Sequence, residues 1–571
     1  MSKNFIINKK DLIFLPIGGC NEIGLNLNLY QYKGTWIMID CGNGFAIPSK
    51  MPGVDIVIPD ISFILRNNIK ISAIILTHAH EDHIGGLPFL LGNFDCPIYT
   101  TKFTATFIKI KLKEFDFNDS NLKITEIIPG ENDRFSVGPF DLQMMCLTHS
   151  TPEMYGVAIR TEEGNIFHTG DWKIENDPVI GKLSDFEGIK NFANEGILAL
   201  ICDSTNAMSK GHSGSEGELE DSIHEVVKSQ KKLVVVTTFA SNVARLQTIY
   251  NVATKNGRKV ALSGLSMLRV VNAAKESGYL KDCDFVDLKD FASESKSKLL
   301  ILCTGCQGEQ NATIAKLVHG KHRLLKIDNG DTVIFSSKII PGNEKTIGEH
   351  VNMLIDMGVN VITERHAKVH ASGHPSQDEL LNMYHSTNPQ IIIPVHGESV
   401  HLDAHCKFAL KHSNIKKAVK MKNGYVIKLN YDDKGVGCFT KLGEVFSDYI
   451  GVDGNKLRSE TNVVISERKR LMVAGFMACN IVYTKEKKDD YRIISMKIIT
   501  AGLMDDGFEA KEIEALEKDL LKRYKEFFDN DNLSKLEKKD KLAKNIKNYI
   551  VSKIIETFNK ESLVKVYLNE V

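Results

Sequence analysis

One short stretch constrains this chain more than any other. Residues 77–86 read T-H-A-H-E-D-H-I-G-G, so three imidazoles and two carboxylates fall within the six positions from His78 to His83. The stretch follows the apolar run Ile71–Leu76, and we therefore expect it at the end of a buried strand. Imidazole and carboxylate side chains together suit Zn²⁺ or a similar divalent ion. Because unpaired buried polar groups are costly, the cluster predicts a metal site rather than a chance group of polar residues.

Composition narrows the class of protein but not its activity. A chain of 571 residues is too long for one core, and roughly three or four domain-sized units are expected. It has no apolar run of the ~20 residues that cross a bilayer and no signal peptide, which predicts no membrane association. Its 11 cysteines form no framework, so we predict a reducing, cytoplasmic location. The formal net charge of zero neither supports nor excludes a nucleic-acid partner, because a local basic channel is enough for phosphate contacts.

The organisation of the chain changes twice. From Leu12 to about Gly214 short apolar strands alternate with turns, and from about Ser215 longer helices alternate with strands, which predicts a parallel sheet with its own core. From about Val361 polar motifs return at strand ends, which indicates that the middle unit is inserted into the first. We predict these boundaries: a core formed by 1–214 and 366–454, an inserted domain at 215–365, a polar linker at 455–467, and a small α/β domain at 468–571.

The H-x-H-x-D-H pattern at 78–83 resembles the signature of the metallo-β-lactamase superfamily, whose members are usually two-metal hydrolases. Two further strand ends, in M-C-L-T-H and H-T-G-D, then supply His149 and Asp171 as ligands. The resemblance implies one metal on His78, His80 and His149. It implies a second metal on Asp82, His83 and a further histidine, with Asp171 bridging the two. Asp40, in W-I-M-I-D-C-G, matches the aspartate that orients a ligand histidine in this superfamily.

Three later motifs separate branches of that superfamily. Asp203 in C-D-S-T-N, His374 in A-S-G-H and His396 in P-V-H-G-E resemble motifs A, B and C of the β-CASP nucleases. The resemblance implies that His396 completes the second metal site and that His374, positioned by Asp203, protonates the leaving oxygen. The resemblance also implies a catalytic role for Asp82. The loop around Gly373 is rich in small and polar residues and is predicted to hold a phosphate: His370, Ala371, Ser372, Gly373 and His374. A glycine turn beside core histidines is the plain alternative.

Further motifs resemble the ribonuclease J family: G-G-C-N-E-I-G (18–24), T-F-A-S-N (238–242), T-G-C-Q-G-E (304–309), F-S-S (335–337) and I-P-G-N (340–343). This resemblance implies an α/β fold, in which a parallel-sheet β-CASP domain interrupts an αββα core and a small α/β domain follows. It implies 5′→3′ exonuclease action on single-stranded RNA, with preference for a 5′-monophosphate, plus endonuclease action, in mRNA decay and rRNA maturation. It also implies two Zn²⁺ per chain, with Mn²⁺ as the alternative, and a homodimer or homotetramer. A Ca²⁺ site at Gly53, Asp55 and Asp453 is a weaker implication.

Three other functions stay open on the sequence. A small-molecule hydrolase of the same superfamily would keep the metal cluster but would not need Asp203, His374 or an inserted domain. A tRNA 3′-processing ribonuclease would lack that insertion. A non-catalytic RNA-binding scaffold is expected to have lost metal ligands, whereas all the candidate ligands are present here.

Overall fold

A computed structural model describes the protein over residues 6–115, 117, 122–289, 294–340, 342–411, 415–487, 490–503, 506–528 and 535–571. The chain separates into two units: Met1–Gly44 with Ile58–Asp448, and Phe45–Val57 with Tyr449–Val571. In the described ranges, no helix is both long enough and apolar enough to cross a membrane. Pro341 of the I-P-G-N motif lies outside the described residues.

As far as Asp448, short strands alternate with helices and loops. In chain order they are β1 (Leu12–Gly18), β2 (Cys20–Asn21), β3 (Leu27–Tyr32), β4 (Thr35–Ile39), β5 (Gly44–Phe45), β6 (Ile56–Pro59), β7 (Ile71–Ile75), β8 (Ile98–Thr101), β9 (Ile124–Ile127), β10 (Arg134–Val137), β11 (Phe140–Leu147), β12 (Met154–Arg160), β13 (Asn165–His168), β14 (Ile197–Asp203), β15 (Val234–Thr237), β16 (Lys259–Ser263), β17 (Phe285–Val286), β18 (Leu299–Cys303), β19 (Thr332–Phe335), β20 (Asn360–Ile362), β21 (Ile391–Val395), β22 (Gly397–Glu398), β23 (Lys417–Ala418), β24 (Tyr425–Tyr431) and β25 (Gly437–Glu444).

The α-helices of the same part are α1 (Ser62–Arg66), α2 (Glu81–Ile84), α3 (Leu87–Leu90), α4 (Lys102–Glu114), α5 (Phe186–Ala193), α6 (Gly217–Lys228), α7 (Val243–Lys255), α8 (Leu265–Ser277), α9 (Thr313–Val318), α10 (Glu344–Asp356), α11 (Gln377–Thr387) and α12 (Ser399–Ala409). Beyond Asp448 the chain forms β26 (Tyr449–Asp453), β27 (Lys456–Ser459), α13 (Val463–Ala474), β28 (Phe476–Lys487), β29 (Asp490–Ala501), α14 (Asp506–Phe528), α15 (Lys535–Phe558) and β30 (Leu563–Glu570).

Two large sheets form the core of the first unit. Over the described residues one has eight strands, in the order β25-β24-β1-β3-β4-β7-β8-β9, and the other has seven, in the order β10-β11-β12-β13-β14-β21-β23. Apolar side chains of both sheets, such as Tyr30 and Ile393, pack into one buried cluster. A second cluster joins the seven-stranded sheet to α5 and α11 through Phe192 and Leu380. The predicted α/β class, with two sheets and packed helices, is confirmed.

Parallel strand pairing brings distant polar residues to one edge of the core. The strands β14 and β21 are wholly buried and pair in parallel, with Asp203 opposite Val395. Because His396 follows Val395, motifs A and C lie side by side although almost 200 residues separate them. In the other sheet, β4 pairs in parallel with β7, and the backbone N–H of Asp40 donates to the carbonyl of Ile75 at 2.9 Å. Buried apolar strands therefore set where the polar loops emerge.

The insertion has a sheet of its own. Among the described residues it has six strands, in the order β17-β16-β18-β15-β19-β20, and every registered pair in it is parallel. Its strands and the helices α9 and α10 bury a separate apolar cluster that includes Val235, Ile301 and Leu354. The parallel-sheet insertion predicted from the alternation of helices and strands is confirmed, and the residue boundaries of the domains stay predictions.

The second unit contains the segment that we predicted to be a linker. Residues 455–467 instead hold β27, which pairs with β26, and the first turn of α13. The side chain of Asn462 caps that helix by accepting a hydrogen bond from the N–H of Val464 at 2.9 Å. Polar composition suggested a linker, but here it reflects a half-exposed hairpin and a capped helix. Further along, the sheet β29-β28-β30 packs on α14 and α15.

Candidate metal centre

Most of the candidate ligands lie in loops just after buried strands, and two lie on a short helix that follows such a loop. His78 and His80 follow β7, and Asp82 and His83 lie on the single-turn helix α2. His149 follows β11, Asp171 follows β13, and His396 follows β21. The side chain of Asp82 is 31% exposed, whereas those of His78 and Asp171 are 0% and 2% exposed. The structure thus gathers all seven residues into one largely buried cluster.

The first group consists of His78, His80, His149 and Asp171. One ligand atom from each of them lies within 4.8 Å of those of the others. Within the group, His149 Nε2 lies 3.0 Å from His80 Nδ1, and His78 Nε2 lies 4.0 Å from Asp171 Oδ2. Three imidazoles and a carboxylate that converge in this way can hold a divalent metal ion.

The second group consists of Asp82, His83, Asp171 and His396, within the same 4.8 Å limit. His83 Nε2 lies 3.2 Å from Asp171 Oδ2, and His396 Nε2 lies 3.4 Å from the same oxygen. Asp82 Oδ2 lies 3.8 Å from His83 Nε2 and 3.6 Å from His396 Nε2. Asp171 therefore belongs to both groups, as a bridging carboxylate would.

Two buried atoms of the cluster test whether a metal fits. His78 Nε2 and Asp171 Oδ1 have no hydrogen-bond partner within the described part of the protein. A buried polar atom without a partner costs on the order of 1–3 kcal/mol. Both atoms belong to the converging ligand set, so a divalent ion there would satisfy them. The donor set and these two atoms fit a metal centre.

Electrostatics in the first group also suit a cation. Burial lowers the pKa of His80 to about 4, and it lowers the pKa values of His78 and His149 well below the usual range. The rings are therefore neutral, with lone pairs available for a metal. Although burial opposes it, His396, His83 and His374 hold the pKa of Asp171 well below its usual range, so this carboxylate is charged.

The predicted orienting residue, Asp40, lies against the second group. His83 Nδ1 donates to Asp40 Oδ2 at 2.7 Å, which directs His83 Nε2 towards Asp171. The N–H of Thr77 donates to the other oxygen of Asp40 at 2.8 Å. Burial would lower the pKa of His83, but Asp171, Asp40 and Asp82 raise it well above its usual range. The same negative field would attract a divalent cation.

Asp203 and His374 form a pair at the edge of the cluster. His374 Nδ1 donates to Asp203 Oδ2 at 2.7 Å, and the same nitrogen lies 3.8 Å from Asp171 Oδ2. Burial opposes protonation, but Asp203 and Asp171 raise the pKa of His374 to about 9. The His374 side chain is 21% exposed, whereas that of Asp203 is fully buried. A protonated imidazole is therefore available beside the candidate ligands.

The predicted phosphate loop, 370–374, is tied to its neighbours. Ser372 Oγ accepts from Asn206 Nδ2 at 2.7 Å and from the N–H of His374 at 3.2 Å. The N–H of Ser372 donates to the carbonyl of Ser213, so two of the loop's amides already have partners. His370 Nδ1 is buried and has no partner among the described residues. The loop therefore offers a phosphate fewer backbone donors than the sequence suggested.

Gly373 explains why this loop approaches the first group so closely. Its carbonyl accepts from His149 Nδ1 at 2.6 Å. A Cβ atom at this position would lie 2.5 Å from His149 Cε1. Only glycine permits this approach without displacing a candidate ligand. Ala371 lies in the same loop and is buried.

The candidate calcium site does not fit a cation. Both oxygens of Asp453 are bound by arginines: Arg468 Nη1 lies 2.9 Å from Oδ1, and Arg458 Nε lies 2.5 Å from Oδ2. Arg468 Nη1 also donates to the carbonyl of Pro52 at 3.3 Å and lies next to Gly53. A guanidinium group therefore occupies the place that a Ca²⁺ ion would need, and Asp55 is exposed.

Sequence reasoning missed several buried polar residues around the site. Asn26 lies between His83 and His396. Glu379 accepts from the N–H groups of Ile174 and Ser376 at 3.0 and 2.8 Å, and so joins the loop of Asp171 to that of His374. Glutamate in a helix and asparagine in an alternating segment are ordinary sequence features, so the sequence pattern did not mark either residue.

Comparisons with known families agree with this architecture. Residues 25–200 match the family model of the metallo-beta-lactamase superfamily. Residues 231–354 match the ribonuclease J beta-CASP domain, and residues 358–418 match the Zn-dependent metallo-hydrolase RNA specificity domain. The matches cover the core, the insertion and the segment that carries His370–His374 and His396.

Whole-chain relatives extend the comparison. The chain is 39% identical over 510 residues to a ribonuclease J of Sinorhizobium meliloti, with 88% of each chain covered. It is 37% identical over 499 residues to a ribonuclease J of Thermus thermophilus, covering 86% of this chain and 85% of that one. A crystal structure of a protein of unknown function from Enterococcus faecalis is similar in fold, with a TM-score of 0.51, 16% identity, and 73% of this chain and 100% of that chain covered. With a converging set of histidines and aspartates able to bind metal ions, the chain belongs to the ribonuclease J family of metal-dependent ribonucleases.

Proposed function

We propose that the protein hydrolyses RNA phosphodiester bonds with two divalent ions per chain, Zn²⁺ or in its place Mn²⁺. The observation that carries the proposal is the pair of ligand groups that share Asp171, next to the Asp203–His374 pair. Two divalent ions in such a site supply an activated water at neutral pH and neutralise phosphate oxygens. His78, His80 and His149 would hold one ion, and Asp82, His83 and His396 the other, with Asp171 between them.

The protein's own side chains then account for the proton that the leaving oxygen needs. His374 carries a proton at neutral pH because of Asp203 and Asp171, and its ring is partly exposed. We assign it the role of proton donor to the 3′ oxygen of the leaving nucleotide, with Asp203 holding the ring in position. Asp40 would play the corresponding positioning role for His83.

The manner of cleavage is a finer part of the proposal. We propose 5′→3′ exonuclease action with preference for a 5′-monophosphate, together with endonuclease action, on single-stranded RNA. The ribonuclease J relatives support this, and so does the 370–374 loop, whose position beside His149 would place a terminal phosphate near the scissile bond. His370 and Ser372 are its candidate phosphate contacts. The same relationship supports roles in mRNA decay and rRNA maturation, a cytoplasmic location and a homodimer or homotetramer.

The test uses the full chain with Zn²⁺ or Mn²⁺ and a single-stranded RNA that carries either a 5′-monophosphate or a 5′-triphosphate. We expect mononucleotides from the monophosphate RNA with wild type and no products with His78→Ala. Internal fragments alone would restrict the activity to endonuclease action. If neither RNA is cleaved while a small ester or lactam is hydrolysed, the small-molecule hydrolase replaces the proposal.

A further inference from the structure

Asn26 is a buried side chain beside the second ligand group. It lies between the G-G-C-N-E-I-G motif and β3 and is 3% exposed. Its backbone N–H donates to the carbonyl of Asp82 at 3.0 Å, and its own carbonyl accepts from the N–H of Gly42 at 2.8 Å. These two bonds hold the main chain so that the side chain points into the site.

The amide of Asn26 touches three candidate ligands. Its Nδ2 donates to the carbonyl of Asp82 at 3.1 Å and lies 3.1 Å from His83 Nε2. Its Oδ1 lies 3.1 Å and its Nδ2 lies 2.9 Å from His396 Nδ1. If the amide were turned over, Oδ1 would face the carbonyl oxygen of Asp82, and two acceptors would meet. The Asp82 contact therefore identifies the atom on that side as Nδ2.

His396 depends on this amide for its orientation. An imidazole that ligates a metal through Nε2 carries its proton on Nδ1, and Oδ1 of Asn26, 3.1 Å away, would then accept it; the Nδ2 contact at 2.9 Å fits only an unprotonated Nδ1. Within the part of the chain that the structure describes, Asn26 provides all the hydrogen-bond partners of His396 Nδ1. The backbone of His396 is in the left-handed region, with φ of 52°, which is uncommon for residues other than glycine. On its Nδ1 side, therefore, the hydrogen bonds of the ring come from the Asn26 amide.

The first ligand group is held by different residues. His149 Nδ1 donates to the carbonyl of Gly373, and His78 Nδ1 contacts Thr77 Oγ1 at 3.0 Å. None of the Asn26 contacts described above reaches His78, His80 or His149. A change at Asn26 should therefore affect one metal position and leave the other intact.

We propose that Asn26 is a positioning residue for the second metal position, where it fixes the ring of His396 and the backbone of Asp82. The inference rests on the proposed two-metal function and deepens it. Partners of this kind typically contribute about 10–100-fold to metal affinity. Asn26 therefore determines whether the site holds two ions or one at limiting metal concentration.

The experiment measures metal binding rather than cleavage. The full chain is stripped of metal and titrated with Zn²⁺ against a chromophoric chelator, for wild type, Asn26→Ala and Asn28→Ala. Asn28 is the matched control, because it is a buried asparagine two residues away whose Oδ1 has no partner among the described residues. His80→Ala, which removes a ligand from the first group only, identifies which binding constant belongs to which group.

We expect Asn26→Ala to weaken the second binding constant by about 10–100-fold and to leave the first unchanged. Asn28→Ala should bind both ions as wild type does. Thermal unfolding of the metal-free proteins reports on folding. If Asn26→Ala does not fold, Asn26→Leu keeps the size of the side chain, adds no charge and removes both hydrogen-bonding groups, and it should still weaken the second constant selectively.

Unchanged constants, or equal weakening of both, would overturn the role of Asn26. A wild type that binds fewer than two ions would overturn both this inference and the two-metal proposal. A wild type that binds two ions, shows the selective loss in Asn26→Ala and yet cleaves no RNA would leave Asn26 as a positioning residue and refute only the proposed function.

Discussion

The rings of His80 and His374 both contact the ring of His149, with centroids 4.7 and 5.2 Å away. Their environments nevertheless shift their pKa values in opposite directions. Burial lowers the pKa of His80 to about 4, whereas Asp203 and Asp171 overcome burial and raise the pKa of His374 to about 9. The nearest carboxylate makes the difference, since His374 Nδ1 lies 2.7 Å from Asp203 Oδ2. A neutral ring is suited to bind a metal, and a charged ring is suited to donate a proton. One cluster can therefore contain both metal ligands and a proton donor.

Replacing the shared carboxylate should have the largest effect, because Asp171 serves both ligand groups. We expect Asp171→Asn to lower RNA cleavage by more than about 100-fold, beyond the range for residues that only position a ligand, and to weaken binding of both ions. Cleavage and metal content per chain are the measurements. Asp282→Asn, at an exposed aspartate, is the control and should behave as wild type. Full metal content in Asp171→Asn would contradict the bridging role.

The proton-donor side of the comparison is tested by His374→Ala and Asp203→Asn. We expect the single-turnover rate to fall by about 10²–10⁴-fold, the usual contribution of general acid catalysis, because the leaving 3′ oxygen then lacks a proton. An RNA with sulfur in place of that 3′ oxygen needs no such proton. Cleavage of the sulfur substrate should therefore be nearly equal in wild type and His374→Ala, and an equal defect on both substrates would show that His374 does something else.

Gly373→Ala tests how closely the loop and the first ligand group are coupled. The added Cβ would lie 2.5 Å from His149 Cε1, so the ring or the loop must move. Overpacking of this kind typically costs about 1–3 kcal/mol, and we expect weaker metal binding together with slower cleavage. Gly348→Ala is the matched control, because a Cβ there meets nothing within 4 Å in helix α10. Similar metal binding in the two variants would mean that the loop moves to admit the Cβ without disturbing His149.

Glu22 is a carboxylate outside the ligand set, and replacing it should have the smallest of these effects, a change in stability. Burial raises the pKa of Glu22 from 4.5 to about 7, although hydrogen bonds from Asn423 and from the N–H of Gly19 oppose it. The folded state therefore binds this proton more tightly than the unfolded state does. The resulting stabilisation is present below about pH 4.5 and is lost as the pH rises through about 7.

Glu22→Gln removes that titration. At pH 8 we expect the variant to be more stable than wild type by on the order of 1 kcal/mol, and the difference should shrink as the pH falls towards 5. Thermal unfolding midpoints of both proteins across this range are the measurement. A difference that does not depend on pH would show that burial does not govern this carboxylate.

The cluster His78–His83 can be identified from the amino-acid sequence because it follows an apolar run, whereas most of the other site residues were identified from the resemblance of their motifs to a known family. Ile71–Leu76 and Ile391–Val395 are long enough and apolar enough to be buried strands, so the histidines after them had to emerge at an edge. Asn26 could not be found in this way. Its partners His83 and His396 are 57 and 370 residues away, and the segment Leu25–Leu29 shows only ordinary alternation of apolar and polar residues.

Two weaker expectations from the sequence do not hold, because the pairing of side chains or of strands determines the local structure. Asp453 looked like a candidate cation ligand, but Arg458 and Arg468 already neutralise it. The polar residues 455–467 looked like a linker, but β26 pairs with β27 and Asn462 caps α13. Composition cannot show which charges meet or which exposed strands pair.

Local patterning of the sequence by itself indicated the inserted parallel sheet and the metal-binding cluster at His78–His83, and the resemblance of its motifs implied the α/β architecture and the remaining candidate ligands. Only the tertiary structure showed the distances that place Asp171 in both ligand groups, the carboxylates that raise the pKa of His374, and the contact of Asn26 with His396. The reason is physical: ligand geometry and pKa values depend on distances of a few ångströms between strand ends that lie far apart in the chain.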